Sequence, residues 1–314
     1  MKSYTSISEI SVNKAGSCVT IGNFDGVHIG HRALIERTRA VAAENGLTSL
    51  VMTFWPHPRA VLAGKNAPAA LCSREDRSAL IAETGTDILL EIPFTHDLAA
   101  LSPEEFVQAM LVPLHTRRLV IGYDFSLGRG RAGSYEVLQE LGARYGFSVE
   151  RLDAVCVDGV VAASTAVRDA VFNGSMQKAE ALLTRPYTLA GMVEHGFGRG
   201  SGLGFPTANM AMPPVLLPRR GVYATIAESE GERWKAVTNI GSNPTFEGRR
   251  TTIESFLLDG DVNLYGRMLT LHFIARLRDE QKFDSPEMLK ARIAVDVADA
   301  RALLEHRIAA IQPR

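Results

Sequence analysis

Two histidines with one glycine between them, His28-Ile29-Gly30-His31, follow an apolar run that stops at Gly22 and precede a stretch of helical periodicity. A strand-to-helix turn of this kind is where an open parallel sheet places its ligands. The free N–H groups and positive potential of a helix N-terminus suit a phosphate. Two imidazoles at this spacing can both reach that phosphate, and the glycine lets backbone approach it. A second element strengthens the reading. In Ala163-Ser164-Thr165-Ala166-Val167-Arg168, Ser164 or Thr165 can cap a short helix while Arg168, one turn in, projects back towards an anion. Taken singly, each has a plainer reading: His28 packs, His31 caps, and Arg168 is a solvated arginine. Together, and in this order, they favour a polyphosphate site at the end of the first strand over the plainer readings.

A different chemistry stands in the second half. Gly198, Gly200 and Gly204 belong to a run of near-alternating glycines (Gly191 to Gly204) that can cradle a polyphosphate with backbone N–H groups. Pro206, Thr207 and Asn209 follow. Thr207 and Asn209 are neutral oxygen ligands two apart on an extended segment, hence on one face, and with ATP phosphates and water they could complete an octahedral Mg²⁺ shell. The chain has no G-x-x-x-x-G-K-[ST] P-loop. Glu254 lies mid-strand in TTIESFLLD, either facing solvent or pointing into a cleft as a general base, and alternation does not decide between them.

Gly128 to Gly133 match G-x-G-x-x-G, with Asp153 twenty residues after Gly133. Asp124 to Leu127 separate this segment from the strand, whereas the dinucleotide fingerprint needs a tight turn directly from it. A flexible basic loop is expected there instead.

The elements that must position these residues alternate over the first half. Strands are predicted at 17–22, 47–54, 86–94, 117–125 and 147–155, and helices over 31–45, from Ser73 to Thr84, from Ser102 and over 134–146. That is the pattern of a parallel sheet with helices on both faces. After Arg185-Pro186 helical periodicity fades. Strands at 221–228, 233–241, 251–259 and 267–277 read as an antiparallel barrel or sandwich, closed by a helix from Ser285 to about Ile311.

With 314 residues, 46% hydrophobic and 22% charged, the chain has material for two cores. A net charge of −1 excludes a global field for nucleic acid or anionic membrane. Three scattered cysteines, Cys18, Cys72 and Cys156, fit neither a disulfide framework nor a zinc site. No signal peptide or apolar run long enough to span a bilayer is present, so a soluble cytoplasmic protein is expected.

The segments IGNFDGVHIGHRALI, TFWPHPRAVL, LSPEEFV, IGYDFSLGRGRAG, STAVRDAV, RPYTLAGMV, GRGSGLGFPTANM, GVYAT, TNIGSNPTF, TIESFLLD, NLYG and LRDEQKF occur in that order. In this the chain resembles, over essentially its full length, the bacterial bifunctional riboflavin kinase/FAD synthetase family. The resemblance implies an α/β fold: a Rossmann-like nucleotidyltransferase domain over residues 1–184 and a Greek-key riboflavin kinase barrel with a C-terminal helix over 185–314. It implies that the second domain phosphorylates riboflavin with ATP and that the first transfers AMP to the resulting FMN, giving FAD and pyrophosphate. By resemblance Glu254 is the kinase base, and Gly198, Gly200, Gly204, Pro206, Thr207 and Asn209 bind its ATP, the last two with Mg²⁺. Asn23, Phe24, Asp25, Gly26, His28, His31, Asp124, Ser164, Thr165 and Arg168 bind ATP for the adenylyl transfer, with His28, His31 and Arg168 catalytic. Ser126, Leu127, Glu254 and Arg278 are the expected flavin contacts.

Departures mark this chain. Ser126-Leu127 stand where the family commonly has Arg-Phe. Trp55 replaces an acid and is expected to fill the sheet face, with stacking on a ring as the other reading. Ala163 replaces the first serine of SST, and Ser255-Phe256 replace Val-His. A kinase with a weakened adenylyltransferase domain and a flavin-sensing binding protein are the two alternatives. Expected partners are ATP, riboflavin and FMN, without nucleic acid or membrane, and any self-association is expected to be weak.

Overall fold

The computed structural model describes residues 1–195, 205–245, 248–260 and 262–308. It divides into two compact units, Met1–Ser164 and Thr165–Arg314.

In the first unit the alternating pattern becomes β1 (Lys2–Tyr4), β2 (Ser17–Ile21), α1 (Ile29–Glu44), β3 (Thr48–Trp55), α2 (Pro58–Ala63), α3 (Arg74–Ala82), β4 (Ile88–Pro93), α4 (His96–Ala100), α5 (Pro103–Phe106), β5 (Thr116–Gly122), α6 (Tyr135–Tyr145) and β6 (Ser148–Leu152). The strands form one wholly parallel sheet in the order β1-β4-β3-β2-β5-β6. Burial on both faces explains why the central strands read as continuous apolar runs. One face is packed by Val19, Leu50, Leu90, Leu119 and Phe106, the other by Ile35, Val41, Val51, Leu80 and Leu89. Ser73 and Ser102 cap α3 and α5 as their spacing predicts, Ser102 within a complete capping box with Glu105. Strand order reverses between β2 and β5, so the end of β2 is the switch point at which such sheets bind ligands.

A short hairpin, β7 (Cys156–Val157) with β8 (Val160–Val161), leads to α7 (Ser164–Phe172) and α8 (Met176–Leu183). The second unit then builds a closed antiparallel barrel from β9 (Tyr187–Glu194), β10 (Thr207–Met210), β11 (Gly221–Ser229), β12 (Glu232–Thr245), β13 (Gly248–Leu257) and β14 (Met268–Arg278). The barrel order β10-β13-β12-β11-β14-β9 carries two connections across non-adjacent strands, β10 to β11 and β13 to β14, which is a Greek key. The last helix, α9 (Pro286–Leu304), is capped by Ser285 and ends short of the predicted Ile311. It lays Ala300 and Leu304 over the outward residues Val222, Ala224, Ile226 and Val237. Inside the barrel the hydroxyls of Thr225, Thr238 and Ser255 form a fully buried ladder across β11, β12 and β13, at 2.7 and 2.8 Å. Each buried hydroxyl is thereby satisfied, and the ladder fixes which residues of β13 face inward.

Candidate active sites

The turn after β2 is held in an unusual backbone shape. Phe24 (φ 49°) and Val27 (φ 40°) are non-glycine residues in the left-handed region, and both are fully buried. Such residues cost about 1–3 kcal/mol each and persist where the surroundings over-determine them. The surroundings are visible. Asp25 accepts the Leu71 amide at 2.9 Å, the Gly26 amide donates to Cys72 Sγ at 3.3 Å, and the Asn23 carbonyl accepts from Thr53 and from Arg77. Arg77 is itself buried against Glu91, at 2.6 Å. Arg77, Glu91 and Cys72 were not found from sequence, because nothing in an amphipathic helix or a strand run marks which polar residue turns inward.

His28 caps α1: its Nδ1 accepts the His31 amide at 3.3 Å. The capping residue is therefore His28 and not His31. The two imidazoles stack at 3.6 Å between centroids and 20° between planes, with Phe24 edge-on to His31 at 5.2 Å. Burial, then the neighbouring His28, pushes the His31 imidazole well below its ordinary range, so it is neutral at neutral pH. The first turn of α1 holds no acidic residue, and the amides of Ile29 and Gly30 have no helical acceptor. An anion would find dipole and donors there uncontested. Gly30 is tightly packed: a Cβ would sit 3.2 Å from the Ala162 carbonyl and 3.3 Å from the His28 ring, so one of them would have to give by a few tenths of an ångström. Ser164 donates to the Asp25 carbonyl at 3.1 Å, which ties the S-T-x-x-R segment to the histidine turn as the sequence pairing suggested. Thr165 is exposed and Arg168 half-buried further along α7.

Asp124 is exposed in the turn after β5, and its carbonyl accepts from Arg131. The loop expected to be flexible is instead pinned, by paired bonds between Leu127 and Gly133 and by the Arg129 amide on the Leu101 carbonyl. Gly128 is needed there, since a Cβ would come within 2.8 Å of the Pro103 nitrogen. Ser126 has a buried hydroxyl without a protein partner, while Leu127 packs into the sheet's core cluster. Trp55 departs from its expected packing role. It is 37% exposed at the end of β3, with the buried Arg77 guanidinium 5.4 Å from its ring centre.

In the barrel, register settles what alternation left open. Ile253 and Ser255 face the interior, so Glu254 faces outward. It stands directly opposite Asn209 of β10 on one side and Asn239 of β12 on the other. Thr207 lies opposite Phe256, whose ring meets Phe205 edge-on at 5.2 Å. Thr207 and Asn209 share a face, and the Asn209 amide donates to the Thr207 carbonyl at 3.3 Å. This donor set of hard neutral oxygens beside one carboxylate fits Mg²⁺ arriving with a polyphosphate, since that ion keeps several waters and takes few protein ligands. Among the described residues no cluster of three or more His, Cys, Asp or Glu could hold a metal. Pro206 is exposed; Gly198, Gly200 and Gly204 lie outside the described residues. Arg278 is tied to the buried Asp296 of α9 through Nε and Nη2 at 2.7–2.9 Å, and its guanidinium lies 5.8 Å from the Phe283 ring. Nε and Nη2 thus hold α9 on the barrel, while Nη1 donates to the Asp279 carbonyl at 2.9 Å.

Comparison with known proteins matches each unit separately. The FAD synthetase family model matches residues 10–166 and the riboflavin kinase family model residues 183–304. A bifunctional riboflavin kinase/FMN adenylyltransferase of Escherichia coli K12 is 39% identical over 96% of this chain and 97% of its own. That of Pseudomonas fluorescens is 42% identical over 92% and 93%. A solved structure of a macrolide-efflux protein from Streptococcus pneumoniae is 26% identical, with a TM-score of 0.87 over 96% of this chain and 98% of that one. No helix among the described residues is long and apolar enough to cross a membrane.

Proposed function

This chain belongs to the family of bifunctional riboflavin kinase/FMN adenylyltransferases, and from that premise we propose how its residues divide the two reactions. The chain phosphorylates riboflavin with ATP to FMN and then transfers AMP from a second ATP to FMN, releasing pyrophosphate. The observation that carries this is the succession of two family matches, each falling on a structure with its own candidate site.

In the kinase half, the riboflavin primary hydroxyl is a neutral nucleophile. Its oxygen bonds to the γ-phosphorus as the bond to ADP breaks, and its proton passes to Glu254. Thr207 and Asn209 would hold Mg²⁺ with the nucleotide, and when bound the ion neutralises phosphate charge. The glycine run through Gly198, Gly200 and Gly204, together with Pro206, covers the phosphates. In the adenylyltransferase half the FMN phosphate is already ionised, so positioning and charge neutralisation suffice. His28, His31, the first-turn amides of α1, Ser164, Thr165 and Arg168 supply donors and cationic charge to the triphosphate, while Asn23 to Gly26 and Asp124 shape the nucleotide site. Ser126 and the loop it begins face the flavin; Leu127 supports that loop from the core. Arg278 borders the flavin end of the kinase site. We place the functional border at 184/185, just before β9, two residues into the kinase match.

The three free cysteines and the ATP-dependent chemistry fit a cytoplasmic enzyme. The near-zero net charge fits one without nucleic-acid partners. Reciprocal variants test the division. His31→Ala should lose FAD formation from FMN and keep FMN formation from riboflavin, and Glu254→Gln should do the reverse. Parallel loss of both activities in either variant would refute it.

A further inference from the structure

Glu254 has two carboxamide neighbours, and only one of them has a role so far. Asn209, Glu254 and Asn239 are consecutive partners across β10, β13 and β12, so their Cα atoms are spaced about 4.5–5.5 Å and their side chains share the outward face. Two residues along from Asn239, on the same face, is Gly241. A Cβ there would lie 2.7 Å from Asn239 Nδ2 and 2.8 Å from Glu280 Oε1. Glu280 is held in place by the Ser242 amide at 3.1 Å. Gly241 is buried, and Asn239 Nδ2 and Glu280 Oε1 fill the place that a side chain there would take, so the glycine is what lets the Asn239 carboxamide sit where it does. Asn209 faces the side of Glu254 on which Thr207 and the nucleotide are placed, whereas Asn239 faces the opposite side, away from the phosphates.

We propose that Asn239 is a substrate-positioning residue of the kinase reaction: its carboxamide binds a secondary hydroxyl of the ribityl chain and so holds the terminal hydroxyl against Glu254. This rests on the assignment of Glu254 to the kinase site. A polyol suits these side chains chemically. Successive hydroxyls are donors and acceptors at once, and a carboxamide beside a carboxylate answers both functions. An apolar chain would leave these groups unpaired.

The test compares Asn239→Ala, Asn239→Asp, Gly241→Ala and Glu254→Gln in the full-length enzyme. Substrates are riboflavin and analogues lacking one ribityl hydroxyl each. Conversion of FMN to FAD by the same preparations reports an intact first unit, and far-UV circular dichroism with thermal unfolding reports the barrel. Asn239→Ala should lower kcat/KM for riboflavin about five- to twentyfold, the loss of one substrate hydrogen bond. The penalty should fall below twofold with the analogue that lacks the contacted hydroxyl. Asn239→Asp sets a second carboxylate opposite Glu254 and should move the acidic limb of the kinase pH profile up by about one unit, a shift that a purely structural residue would not produce. This readout also serves if the alanine variant does not fold. Gly241→Ala should raise KM for riboflavin more than KM for ATP. Glu254→Gln inactive with Asn239→Ala within twofold of wild type, or an equal penalty on every analogue, would overturn the role of Asn239 alone. A fully active Glu254→Gln would overturn the kinase-site assignment beneath it.

Discussion

The imidazoles of His28 and His31 lie face to face, 3.6 Å apart, at the N-terminus of α1, and the ring nitrogen of the first accepts the backbone amide of the second. The pair is therefore both the cap of the helix and the polar lining of the turn where the sheet reverses its strand order. Its protonation links stability to pH. Because the His31 imidazole titrates below its ordinary range in the folded chain, the unfolded chain takes up that proton first. The contribution is complete above about pH 6.5 and is lost as pH falls below it, by up to about 1.4 kcal/mol per unit, until the folded group titrates too. Urea unfolding at pH 7.5 and pH 5.0 should show a smaller pH dependence for His31→Asn than for wild type; an unchanged difference would mean that His31 titrates normally.

Binding of a polyphosphate to this turn should raise the His31 imidazole again, since a nearby anion favours its charged form. Calorimetry of ATP binding near pH 6.5, in two buffers of different ionisation enthalpy, should report proton uptake that disappears in His31→Asn. Equal apparent enthalpies in both buffers would place the triphosphate away from the ring.

Gly30 is squeezed between the Ala162 carbonyl and the His28 ring. Gly30→Ala should lower FAD formation from FMN at least tenfold, because the added methyl must displace either the ring or the segment leading to Ser164. FMN formation from riboflavin should stay within twofold of wild type. An alanine variant with normal FAD synthesis would show that this contact tolerates movement.

Asp296 is 2% exposed in its side chain and accepts from both Arg278 and Arg292. Asp296→Ala leaves Arg278 buried without its anion and should destabilise the barrel by about 3–5 kcal/mol. Replacing Arg278 and Asp296 together with apolar residues should recover most of the loss. Calorimetric unfolding of the single and double variants gives the comparison, and additive losses would mean that the pair is not coupled.

Much of this was legible in sequence. Alternating apolar runs and caps at Ser73, Ser102 and Ser285 gave the sheet and its helices, because capping and periodicity are local. Ser164, which opens the S-T-x-x-R segment, does meet the turn that carries the histidines. The side chosen by Glu254 was not legible, because TTIESFLLD carries polar residues on both faces. Ser255 reads as a solvent residue until the buried hydroxyls of Thr238 and Thr225 are placed beside it. Asn239 was missed for the same reason, since its importance depends on register with a strand met fifteen residues later. Trp55 was misplaced because no pattern reveals that a buried arginine, Arg77, lies against its ring.

The most direct test of the two-reaction assignment is a time course with purified protein, riboflavin, excess ATP and Mg²⁺, the flavins being separated by chromatography. Riboflavin should decline as FMN rises and then falls, with FAD as the final product. FMN accumulating without FAD, or riboflavin left unchanged at catalytic protein concentration, would contradict it.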